Sequence, residues 1–166
     1  MRSLSHDLEM VFPNAIQMNR GKLGLSEIVE RALKMGVDRI IILERWKGGP
    51  GRIRFCQLAS GEVASVHPIL ILGGVKTQID FGHRKNLSNN LALTIHEKSS
   101  KEIVDLALYL SNFLGIPSFE EGRLGERFKA AIHLGPTPTQ EVKIWFTSPP
   151  MVEEVGPRLV IRKIVW

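Results

Sequence analysis

Cysteine is almost missing from this sequence. Cys56, in the run IRFCQL, is the sole one, so neither a disulfide within the chain nor a cysteine-built metal cage is possible, and a buried, inert thiol is expected. Long hydrophobic runs are missing too. None approaches the roughly 18 residues that span a bilayer, and the opening MRSLSHDLEM has no signal-peptide apolar segment. A cytoplasmic location without a membrane partner is expected. Aromatics make up only 7% of the chain, and no ladder for base stacking is visible, so shape and backbone recognition of a nucleic acid would suit it better than a base-by-base code.

Motifs for chemistry are equally scarce. No GxxxxGK(S/T) loop and no GxSxG elbow occurs, and His6, His67, His83, His96 and His133 show no HxxxH spacing. The sequence therefore predicts no metal site, no cofactor, no small-molecule substrate and no catalysis, with His96 and His133 partly buried in strands.

What is present is positive charge, unevenly placed. The chain has 166 residues and a net charge of +5, enough length for one domain or two closely packed halves. Residues 1–90 hold 13 Lys and Arg against 8 Asp and Glu, whereas residues 91–166 hold 9 against 9. A basic excess confined to one half suggests a polyanionic partner.

Apolar spacing then gives the elements. Leu4, Leu8 and Val11 recur at helical intervals until Pro13 stops the helix. AIQM (15–18) is a short strand candidate. Leu25, Ile28, Val29, Ala32 and Leu33 form the stripe of a second helix, with Glu27 in its first turn and Gly36 at its end. RIIILE (39–44) is a nearly continuous apolar run, as expected for a central strand covered on both faces. RIRFCQL (52–58) alternates outward Arg52 and Arg54 with inward Ile53 and Phe55, and HPILILGG (67–74) follows in a meander. The polar stretch 81–90 separates halves at about 1–80 and 91–166. The second half reads LALTIHE as a strand, KEIVDLALYLSNFLG as a helix with Ser99 and Glu102 as a capping box, RFKAAIHL and EVKIWFT as strands, and GPRLVIRKIVW as a closing strand. Both halves run helix, apolar strand, Gly/Pro turn, amphipathic strand, which suggests an internal duplication.

RWKGGPGRIRF (45–55) resembles a phosphate cradle only superficially. A strand follows it instead of the helix whose N-terminus would hold phosphate. A hairpin turn needing positive φ accounts for Gly48, Gly49 and Gly51. It leaves Arg45, Lys47, Arg52 and Arg54 as candidate contacts to an RNA backbone. Arg20 and Lys22, in NRGKLG before the second helix, are candidates of the same kind, and Arg84 and Lys85 in the junction complete the set.

The segment from Val11 to Phe55 resembles the Brix domain of ribosome-assembly proteins. The resemblance rests on the helix into Phe12-Pro13-Asn14, the Asn19-Arg20-Gly21 turn, the helix from Leu25, the strand from Arg39 and the Gly49-Pro50-Gly51 turn, with GPRL (156–159) similar to the family's C-terminal end. It implies a single domain of two similar α/β halves, like the anticodon-binding domain of class II aminoacyl-tRNA synthetases, with helices packed on mixed sheets. It also implies a non-catalytic, RNA-binding role in pre-rRNA processing and ribosomal subunit assembly, on pre-rRNA or a guide-RNA/rRNA hybrid. Family members usually begin with a strand and a Thr-Ser-Arg stretch, whereas this chain starts within the helix. A missing first strand, and a sheet edge left unpaired, is the expectation. The alternative is a protein-interaction module beside other assembly proteins, docking a partner by edge pairing through Trp145, Phe146 and the closing strand.

Overall fold

A computed structural model of the chain describes residues 2–46, 49–65, 67–82, 84–87, 90–125, 127–148 and 151–166. Among the described residues are three α-helices, α1 (Arg2–Val11), α2 (Leu25–Lys34) and α3 (Lys101–Leu114), and a short 3-10 turn at Gln78–Phe81. The strands are β1 (Arg39–Trp46), β2 (Gly49–Ala59), β3 (Glu62–Ser65), β4 (Ile69–Lys76), β5 (Leu91–Ile95), β6 (Ser118–Glu120), β7 (Ala130–Pro136), β8 (Val142–Ser148), β9 (Met151–Glu154) and β10 (Arg158–Val165). All ten belong to one mixed sheet, ordered β1-β2-β4-β10-β8-β7-β5-β6, with β3 on β2 and β9 on β8. β5 runs parallel to both β6 and β7, and the other pairs are antiparallel.

The period-2 alternation of the strands assigns one face of this sheet to the core. Ile53, Phe55, Leu70, Leu72, Ile132, Ile144, Phe146, Leu159 and Ile161 lie inward, buried with Leu4, Leu8 and Val11 of α1 and Ile103, Leu106 and Leu110 of α3. Residues from both halves share this cluster. Phe55 takes Tyr109 and Phe113 of α3 edge-on, at 5.7 and 5.1 Å between ring centres, a favoured aromatic geometry. Toward β7 and β5 the opposite face has Ala131, Thr94 and Ala92 buried, whereas it is more open across its middle strands. There β4, β8 and β10 place half-buried residues such as Ile69, Ile71, Trp145 and Val160 between the buried ones. At one end α2 covers it, setting Val29 and Ala32 on Leu58, with Ile40 and Val63 alongside.

Several local expectations change. β1 is an edge strand and not a central one, and in its pattern only Ile42 is buried. Its apolar run faces α2 on one side and the main core on the other, which reads in sequence like central burial. AIQM forms no strand. The Gln17 N–H donates instead to the Glu9 carboxylate of α1 at 2.8 Å. Leu33, counted in the stripe of α2, is 44% exposed. The cap of α3 is Ser100 without a side-chain bond, so Ser99 and Glu102 make no capping box there, while Gly115 closes the helix at φ 66° as expected. Gly51 does not have positive φ; a Cβ there would lie 2.1 Å from that of Trp46, so close strand approach is what requires glycine. Edge docking through the closing strand fails, because β10 lies between β4 and β8 and Phe146 is fully buried.

Candidate functional site

The eight candidate cations separate into groups. Arg52 and Arg54 point to the open face of β2, as their alternation with buried Ile53 and Phe55 requires. Register sets Glu44 of β1 opposite Arg52, and its carboxylate pairs with Arg52 Nε at 2.9 Å and with the Arg54 guanidinium. The grip is therefore partly neutralised from within. Arg20 and Arg45 are apart from this pair and line a groove beside β1. Arg20 Nε donates to the Leu23 carbonyl at 2.8 Å, which shapes the turn holding exposed Lys22. Arg84 is exposed and Lys85 half-buried, beyond the end of β4. Lys47 lies outside the described residues.

Sequence reading missed cations that the sheet places with Arg52 and Arg54. Pairing runs Glu44, Arg52, Ile71, Lys163 in one row across β1, β2, β4 and β10. Lys143 and Val160 form a neighbouring cross-strand pair, and Arg158, two positions before Val160, takes the same face. Lys143 Nζ lies 4.5 Å from the Trp145 ring centre and the Arg158 guanidinium 5.3 Å from that of Phe81, both in cation–π range. Glu154 links the two, bonding the Arg158 guanidinium and Lys143 Nζ, the latter at 3.3 Å. Burial works against its charge, but these partners outweigh it and hold its pKa below the ordinary carboxylate value. The signal was available in KIWFT and RLVIRKIV: residues two apart share a face, so Lys143 belongs with Trp145 and Arg158 with Val160.

Next to this patch is a polar cluster. His133 on β7 bonds Thr94 Oγ1 through Nδ1 at 2.5 Å and Thr147 Oγ1 through Nε2 at 2.7 Å, and stacks on Trp145 with ring centres 5.1 Å apart. Burial lowers its pKa to about 4. A neutral imidazole held between two hydroxyls, one on each ring nitrogen, ties three strands together.

Beside the start of β10, Gln78 organises the junction. Its backbone N–H donates to Asp7 Oδ2 of α1 at 2.7 Å, its Nε2 donates to the carbonyls of Lys85 and Gly156, and its Oε1 accepts the Lys85 N–H. That network fixes Lys85 and the peptide leading into Arg158 in one frame.

No family model matches the chain, but relatives do. A probable Brix domain-containing ribosomal biogenesis protein of Pyrococcus abyssi is 39% identical over 90 residues, which is 50% of this chain and 37% of the relative. A protein of the same description from Methanopyrus kandleri is 34% identical over 117 residues, 69% of this chain and 60% of its own. The match thus spans less than two thirds of either relative's length. Among solved structures, a probable ribosomal biogenesis protein from Aeropyrum pernix aligns with a TM-score of 0.75 at 21% identity, over 96% of this chain and 88% of the other. Mil, an archaeal Imp4-like protein, gives 0.65 at 17%, over 98% and 89%. By sequence the chain is a homologue of the archaeal Brix domain-containing ribosomal biogenesis proteins, and its mixed α/β fold is the one those structures share.

Proposed function

We propose that this protein is a non-catalytic RNA-binding factor of ribosome biogenesis, cytoplasmic, acting in pre-rRNA processing and subunit assembly on pre-rRNA or a guide-RNA/rRNA hybrid. One observation carries the reading: cations from both halves, Arg52, Arg54, Lys143, Arg158 and Lys163, share the sheet face opposite α1 and α3, on its middle strands. The names of the relatives supply the process. Phosphate contacts from such a face read backbone and shape, not base identity. Lys22, Arg84 and Lys85 are further candidate contacts, and Lys47 remains a candidate from sequence alone. The whole chain then acts as a single domain of two duplicated halves, 1–80 and 91–166, of the anticodon-binding type.

The test is fluorescence anisotropy with a structured pre-rRNA fragment over a salt series. Arg52→Ala with Arg54→Ala, and separately Lys143→Ala with Lys163→Ala, should each weaken binding and flatten the salt slope by roughly 0.7–0.9 per cation lost. Unchanged affinity and slope in both pairs would remove the open face as the site. A second reading, an interaction module for another assembly protein, is favoured by the groove beside β1. Co-purification that survives RNase treatment would support it.

A further inference from the structure

On the sheet face opposite α1 and α3, β4 runs between two lines of cations. Cross-strand pairing sets Arg52 and Arg54 of β2 beside Ile71 and Ile69 on one side, and Lys163 and Val165 of β10 beside the same two residues on the other. Farther along, Gly74 pairs with Val160 and Lys76 with Arg158. Neighbouring strands are about 4.8 Å apart, so the two lines are about 10 Å apart, and the floor of Ile69, Ile71, Gly73 and Gly74 between them carries no charge. Gly73, Lys76, Arg162 and Lys163 are all exposed, and no described element covers this stretch. Glu44 offsets part of the charge of Arg52 and Arg54, but Lys76, Arg162 and Lys163 make no ion pair among the described residues.

Two features of this floor say what suits it. Gly74 has no internal need of glycine: its φ is not positive, and a Cβ there would meet that of Val160 at 3.8 Å, an ordinary contact. The register shift beside it takes up Gly73 and leaves Gly74 in regular pairing. Glycine weakens a strand interior, and one without an internal cause suits close approach from outside. Glu141 is the second feature. Its Oε1 lies 3.2 Å from the place of a Gly73 Cβ, and the Thr139 hydroxyl donates to its Oε2 at 3.0 Å. A carboxylate over the floor repels phosphate and accepts hydrogen bonds, while the cations along the sides attract phosphate. Every unpaired base brings an N–H at its Watson–Crick edge, whereas in a duplex that group is already bonded.

We infer that β4 is the floor for an unpaired segment of RNA, whose bases lie on Ile69, Ile71 and Gly74 with their Watson–Crick N–H groups toward Glu141, and whose phosphates reach Lys76, Arg162 and Lys163 at the side. Half-buried Ile69 and Ile71 lose water under a base, which a phosphate would not achieve. Contact of this kind does not depend on which base is present, in keeping with the lack of an aromatic ladder. The inference rests on the RNA-binding reading and narrows it to single strands.

The test compares three ligands of matched length by anisotropy: a single-stranded RNA of roughly 12 nucleotides, the same strand in a duplex, and an abasic ribose-phosphate oligomer. The single strand should bind more tightly than the duplex and at least about tenfold more tightly than the abasic oligomer. Gly74→Val, which suits a strand and raises the floor, should remove most of that advantage while leaving the salt slope, the binding of the abasic oligomer and the midpoint of thermal unfolding unchanged or higher. Ile71→Ser, at a half-buried position, is the second variant and should act in the same direction on binding. Equal affinity for all three ligands would overturn the inference and leave the phosphate reading of the face standing. So would a preference for the single strand that both variants retain, or displacement of that strand by polyglutamate with equal affinity. If none of the three ligands binds, the RNA-binding reading falls and this inference with it.

Discussion

Glu44 decides how much of the positive charge on β2 is available. Its carboxylate is 14% exposed and ion-paired with two guanidinium groups, so part of the field of Arg52 and Arg54 ends on it. Glu44→Gln should tighten polyanion binding and steepen the salt slope by up to ~0.7, read by the same anisotropy titration. His133 makes a second prediction at this scale. Its pKa is near 4 in the folded chain against 6.5 ordinarily, so below pH 6.5 the unfolded state takes up a proton that the native state refuses. Stability should fall as pH drops from 6.5 to 4, by as much as about 1.4 kcal/mol per unit. His133→Gln, which can still bond Thr94 and Thr147, should flatten that fall in urea midpoints measured across the interval. Neither residue's role was legible in sequence. Glu44 and Arg52 are eight apart and meet only through the hairpin register, and His133 needs the parallel pairing of β5 to reach Thr94.

Elements were legible where their apolar period was unambiguous. Leu4, Leu8 and Val11 gave α1, and the alternation of Ile53 and Phe55 with Arg52 and Arg54 gave the faces of β2. Order within the sheet was not legible, because a strand's neighbours lie outside its own residues: β1 looks central and is at an edge, while β10 looks terminal and is central. The connections depend on polar staples that composition hides. Gln78 is fully buried and serves Asp7, Lys85 and Gly156 at once. Gln78→Leu strands those carbonyls and should cost roughly 1–3 kcal/mol for each group left without a partner, seen as a lower midpoint of thermal unfolding. Asp7 is pushed above its ordinary pKa by burial, so Asp7→Asn, which keeps an acceptor for the Gln78 N–H, should be tolerated at neutral pH, whereas Asp7→Ala should not.

At the scale of the whole molecule, the two halves are not separable bodies. α3 belongs to the second half, yet Tyr109 and Phe113 pack on Phe55 of the first, and Phe12 approaches Phe146 at 6.1 Å. One shared core predicts one cooperative transition. Trp46 and Trp145 report on opposite halves, so variants keeping only one or the other should unfold in urea at coincident midpoints. Separated midpoints would mean that each half folds alone.

The position of β10 also constrains how the chain is made. It joins the halves through β4 and β8, yet it follows both in sequence, and β4 ends at Lys76 while β10 begins only at Arg158. During synthesis, each half presents a bare strand edge toward the middle of the sheet until β10 leaves the ribosome. Those two edges, buried in the finished protein, are then the surfaces most open to wrong pairing, and a nascent chain stalled before Arg158 should be the form that chaperones hold longest.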